Sequence, residues 1–93
     1  MNNVKLVYFN SETIDKNAVA RDLTADARYR SHIEVKNGLL LVNFVGTSRD
    51  LYESLGTAIR EQSFFVHDLD SDANAYWGFL NNSVWDWLRN NRR

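Results

Sequence analysis

An α+β domain built on one four-stranded sheet is the fold class the sequence predicts, and three observations predict it. Short runs rich in β-branched and aromatic residues alternate with amphipathic stretches, in the order β-α-β-β-α-β. Asn37-Gly38 lies between the second and third strand-like runs, and this dipeptide is the strongest short-range hairpin signal. The 93 residues are 44 % hydrophobic and 25 % charged, values of a single globular domain with one core.

Residues 4–9 (VKLVYF) read as a strand with apolar residues on both faces, hence a central one. Asn10-Ser11-Glu12-Thr13 breaks the pattern and offers helix N-caps. Ile14, Ala18, Val19, Leu23 and Ala27 then recur at three- and four-residue spacing, predicting a helix over 13–27. Residues 30–36 alternate polar and apolar, as a half-buried edge strand does. Asn37-Gly38 favours the positive φ angles of a type I′ turn, and 39–45 (LLLVNFV) is the apolar return strand. Thr47 with Asp50 three residues on has the spacing of a capping box. Leu51, Leu55, Ala58, Ile59 and Gln62 follow as the stripe of a second helix, in which Gly56 costs about 1 kcal/mol of propensity. Residues 63–69 (SFFVHDL) are a fourth strand and 70–75 a polar loop. Ser83 caps a short last helix, where Val84, Trp87 and Leu88 share a face and Arg89, Arg92 and Arg93 sit near its negative end.

Two crossovers around a hairpin give the ferredoxin-like βαββαβ sandwich with a short C-terminal helical extension. The expectation is that strands one and three lie side by side at the centre and run parallel, with strands two and four at the edges. Both helices then cover one face and begin at one rim. The other face needs its own cover, either the aromatic tail (Tyr76, Trp77, Phe79, Trp85, Trp87) or a second copy of the chain. One core of this size gives limited stability, so a homodimer is expected.

Composition narrows the function classes. Eleven basic against twelve acidic side chains give a formal charge of −1, which excludes a histone-like polycation and an acidic DNA mimic. With no cysteine there is neither a disulfide framework nor a thiolate zinc site. No apolar run approaches the roughly 18–20 residues of a membrane span, and Met-Asn-Asn-Val-Lys is not a secretory signal, so a cytoplasmic protein is expected.

Asp68, Asp70 and Asp72 fit the opening of a calcium loop, but Ala73 and Phe79 stand where its Gly and bidentate Glu belong. His32 and His67 fall on opposite edge strands, roughly 14 Å apart at about 4.8 Å per strand spacing, too far for one metal or one relay. Walker loops, dinucleotide glycine fingerprints and serine-nucleophile motifs are absent. If both helices start at one rim, their free N–H groups form a positive pole there. Asn10, Ser11, Thr13, Thr47, Ser48 and Arg49 would then cradle a phosphate, whereas the plainer reading makes them caps, with Glu12, Asp15 and Asp50 offsetting the pole. Arg28, Arg30, Lys36, Arg89, Arg92 and Arg93, with aromatics for stacking, are candidates for a nucleic-acid stripe. Trp77, Phe79, Trp85 and Trp87 are candidate interface residues, packing either on their own core or on a partner.

The segments LVYFN, SRDLYESLGTAI, FFVHDL and above all WGFLNNSVWDWL resemble the SinR-like proteins, related to the small CRISPR-associated endoribonuclease-like family. The resemblance implies a ferredoxin-like fold ending in a tryptophan-containing helix, and a symmetric dimer from a defence, toxin–antitoxin or mobile-element setting. In that family an Asp ends the first strand, where dimeric members hold a metal for phosphodiester cleavage. Asn10 stands at the matching position, and a neutral amide does not replace a carboxylate's charge in holding Mg²⁺. The expected function is therefore a homodimeric, non-catalytic adaptor associated with RNA or DNA, with no catalytic residue, metal or cofactor. A small protein inhibitor or antitoxin that blocks a partner protein is the alternative, and a metal-dependent endoribonuclease the second alternative.

Overall fold

The computed structural model describes residues 3–61, 63–68 and 82–91. Its elements are β1 (Val4–Phe9), α1 (Lys16–Thr24), β2 (Tyr29–Lys36), β3 (Leu39–Phe44), α2 (Ser48–Glu53), α3 (Thr57–Arg60), β4 (Phe64–Asp68) and α4 (Asn82–Asn91). The result is an α+β chain with a four-stranded antiparallel sheet in the order β2-β3-β1-β4, compatible with a small ferredoxin-like fold.

β1 and β3 are neighbours but antiparallel, with Val4 opposite Asn43 and Tyr8 opposite Leu39. The pair is not parallel as expected, and the reason is chain reversal. A crossover through α1 brings β2 in parallel to β1, and the tight turn at Asn37-Gly38 reverses β3 against both. The turn itself differs from type I′. Gly38 has φ +92°, while no described non-glycine residue has a positive φ, so Asn37 lies on the ordinary side. Positive φ at the second central position alone is the type II pattern. A side chain at Gly38 would also put its Cβ 2.6 Å from the Phe9 carbonyl oxygen.

α1 is shorter than the apolar stripe. Asp15 caps it by accepting from the Asn17 N–H at 2.9 Å, and Ile14 is buried just outside it. The second predicted helix is two helices. The Thr47–Asp50 capping box forms and starts α2, and the chain breaks before Gly56, which becomes the N-cap of α3. The break is held by tertiary bonds: the Gly56 N–H donates to Asp22 Oδ2 at 2.8 Å, and the Tyr52 hydroxyl to the Arg60 carbonyl at 2.8 Å.

Helices pack on both faces of the sheet. Val7, Phe9, Val42 and Phe44 pack beneath Val19 and Leu23 of α1, Leu51 of α2 and Ile59 of α3. On the other face Val4 and Leu41 meet Val84 and Leu88 of α4, with Ile33, Val35, Trp85 and Trp87 half-buried around them. Asn91 fastens the end of α4 to the sheet. Its Oδ1 accepts from Ser31 Oγ at 2.9 Å and Asn43 Nδ2 at 3.0 Å, and its Nδ2 donates to the Trp87 carbonyl at 2.8 Å. The last helix is therefore a cover for its own chain's sheet. No helix among the described residues is long and apolar enough to cross a membrane.

Candidate nucleic-acid interface

The antiparallel β1–β3 pair separates the two halves of the expected phosphate cradle. Asn10 follows the end of β1 where the Phe9 N–H bonds to the Gly38 carbonyl, whereas Thr47 follows the end of β3 where the Phe44 N–H bonds to the Asn3 carbonyl. These are opposite ends of the sheet, about 20 Å apart for six residues at roughly 3.4 Å each. Asn10 and Ser11 therefore do not join Thr47, Ser48 and Arg49, and, contrary to expectation, the two helix starts share no rim.

Each group has a structural task. Asn10 Oδ1 accepts from the Glu12 N–H at 3.0 Å, and its carbonyl accepts from Thr13 and Ile14 N–H groups, closing the turn after β1. Thr47 Oγ1 accepts from the Asp50 N–H while Asp50 Oδ2 accepts from the Thr47 N–H, both at 3.0 Å. These bonds hold the Asp50 carboxyl below the usual carboxylate range. Arg49 pairs along its own helix with Glu53 at 3.5 Å. Nearby, Asp26 accepts from the Arg28 guanidinium at 2.9 and 3.0 Å, which lowers its pKa to about 2. The Arg28 guanidinium also lies 5.1 Å from the Phe44 ring centroid.

Two polar arrangements escaped the sequence reading. Lys5 shares with Val7 and Phe9 the side of β1 that faces α1, α2 and α3, and is 1 % exposed. Its ammonium meets Asp68 Oδ1 at 3.4 Å, directly across the β1–β4 ladder, and Ser48 Oγ donates to the same oxygen at 3.0 Å. The second is a cleft of about 160 Å³ between α1 and β2, lined by Lys16, Asn17, Ala20, His32, Glu34 and Leu40. The Tyr29 hydroxyl, outside the cleft lining, lies 2.7 Å from His32 Nδ1, and burial raises the Tyr29 pKa. Lys16 and Glu34 neutralise each other at 3.3 Å. The cleft is smaller than the roughly 300 Å³ at which ordinary ligand pockets begin.

The exposed aromatic side chains gather elsewhere. Tyr8 on β1 is 52 % exposed and Phe65 on β4 58 %, and they stand opposite each other in the ladder. Leu6 and His67 form the next pair on the same side, two residues along. The Phe65 and His67 rings are nearly parallel, 12° apart in plane with centroids 6.2 Å apart. The α4 helix packs on this same sheet face, against Val4, Leu41 and Ile33, and leaves Tyr8 and Phe65 uncovered. Burying aromatic faces is favourable, so rings held out on a paired strand are available for a flat partner. The signal lay in the alternation: in VKLVYF and FFVHD, Tyr8, Phe65 and His67 fall on the parity opposite Val7 and Val66.

Of the predicted interface residues, Trp85 and Trp87 pack on the chain's own sheet. Trp77 and Phe79 lie outside the described residues, as do Arg92, Arg93, Asp70 and Asp72. The two histidines sit on opposite edge strands, β2 and β4. Among the described residues no cluster of three or more His, Asp or Glu side chains converges as a metal site. No protein-family model, curated protein or solved structure matches the chain.

Proposed function

We propose that this chain is a small ferredoxin-like adaptor that binds single-stranded RNA or DNA without cleaving it, stacking unpaired bases on Tyr8 and Phe65. The observation that carries the reading is the pair of exposed rings on adjacent strands, continued by His67. Open sheet faces bearing aromatic side chains suit unpaired bases, because every base presents a π-face whatever its sequence. A formal charge of −1 assigns most of the affinity to stacking and a smaller part to phosphate contacts. The reading includes a homodimer, and the resemblance to SinR-like proteins supports a defence, toxin–antitoxin or mobile-element setting. A non-catalytic role agrees with Asn10, whose side-chain oxygen closes a turn.

Fluorescence anisotropy with short labelled oligouridylate and oligothymidylate at low salt tests it. The intact protein binds both. Tyr8→Ala and Phe65→Ala each weaken binding roughly 5- to 150-fold, since a stacked base contributes about 1–3 kcal/mol. Binding unaffected by either substitution, or none by the intact protein, refutes it. In the latter case capture of a stoichiometric protein partner would favour the inhibitor or antitoxin reading.

A further inference from the structure

The two edges of the sheet are built differently. β2 presents the exposed charges Arg30, Glu34 and Lys36, the usual guard against edge-to-edge pairing. β4 exposes Phe65 and His67, its one charge, Asp68, is paired with Lys5, and among the described residues no strand pairs its outer side. Which groups it offers follows from the ladder. The Asn10 N–H bonds to the Ser63 carbonyl, so Phe9 and Phe64 face each other as a non-hydrogen-bonded pair of the antiparallel β1–β4 ladder. By alternation Phe65 and His67 turn their backbone groups to β1. Phe64, Val66 and Asp68 turn theirs outward. An outward row of alternating N–H and C=O groups is satisfied by another extended backbone.

We propose that this backbone is β4 of a second copy, antiparallel about a two-fold axis at Val66, so that two sheets become one and two aromatic platforms merge. The segment is self-complementary in that register. Val66 and Val66 of the partner subunit exchange both backbone bonds. Phe65 falls opposite the partner's His67 in a non-hydrogen-bonded pair, where side chains come closest. Those are the two rings that already lie parallel within one chain. The merged face offers Tyr8, Phe65 and His67 from each copy as one continuous strip for a longer single strand. The inference deepens the proposed function and rests on it for the identity of the bound strand.

The chain contains no cysteine, which gives a clean background for a disulfide test. Phe65→Cys protein is mixed with His67→Cys protein under mild oxidation, and the linked peptides are mapped by mass spectrometry. The proposed register sets the two Cα atoms about 4.5 Å apart, within disulfide range, so the 65–67 cross-link between chains is expected. Unmodified protein in light scattering is expected at twice the mass of one chain. Val66→Pro loses an outward N–H but no β1 bond, and is expected to run as a folded monomer. Unmodified protein that stays monomeric at micromolar concentration overturns the proposal, as does a dimer in which 65–65 or 67–67 links predominate. The oligonucleotide titration, run on the unmodified protein, separates the two readings: a dimer that binds no oligonucleotide sinks only the nucleic-acid reading, and a monomer that binds one sinks only the dimer.

Discussion

Asp68→Asn is the substitution whose consequence the structure lets one work out most fully. Asparagine keeps the shape and still accepts from Ser48 Oγ, so the change removes charge alone. Lys5 is then left with an ammonium in a nearly closed environment, 3.4 Å from the Asn3 carbonyl and without its counter-ion. Stranding one partner of a fully buried pair costs about 3–5 kcal/mol. Asp68 is 65 % exposed, so water screens its half of the interaction and the cost drops to about 1–3 kcal/mol. For a domain of this size that lowers Tm by roughly 4–8 °C per kcal/mol. The converse substitution separates this account from one in which the pair is merely additive. Lys5→Met retains the apolar stem and removes the charge, and it should lie within about 1 kcal/mol of the parent or above it. Chemical denaturation of both single variants and of the double variant measures the cycle. In the Lys5→Met background Asp68→Asn should cost almost nothing. A neutral Asp68→Asn in the parent, or a Lys5→Met that costs more than Asp68→Asn, would refute the reasoning.

Further outcomes follow from other contacts. Asn91→Ala removes two bonds to the sheet and one within α4, and should cost about 1–3 kcal/mol. Tryptophan emission should then shift red before the far-ultraviolet circular dichroism changes, because Trp85 and Trp87 ride on α4; simultaneous loss of both signals would contradict it. Gly38→Ala forces a side chain into a φ of +92° and against the Phe9 carbonyl, and should cost more than about 1 kcal/mol in a thermal melt. Asp26, with a folded pKa of about 2 against 3.8 ordinarily, contributes stability that is present above pH 4 and lost as pH falls toward 2. Asp26→Asn should therefore flatten the acid limb of stability in that window, and an unchanged limb would show that the Arg28 contact does not persist in solution.

Much of the fold was legible in the sequence because apolar periodicity is local. Strand-like runs, helical stripes and the Thr47 capping box each depend on a few consecutive residues, and each has its counterpart in the structure. The antiparallel direction of β3, opposite to the expected one, is equally implicit in one crossover followed by a two-residue turn. What sequence spacing does not carry is contact between distant segments. The break at Gly56 rests on Asp22, 34 positions away, and the burial of Lys5 on Asp68 of the last strand. Tyr8 and Phe65 likewise become neighbours only through the β1–β4 ladder. Asn10, Thr47 and Ser48 stand out in the sequence for polarity near helix starts, yet their bonds are spent on a cap, a turn and Asp68.

The most direct test of the stacking face is an NMR titration of isotope-labelled protein with unlabelled oligouridylate. The Tyr8, Phe65 and His67 amide and ring signals are predicted to move first and together. Their remaining still while the Thr47, Ser48 and Arg49 signals shift would place the contact at the other end of the sheet and contradict the proposed function.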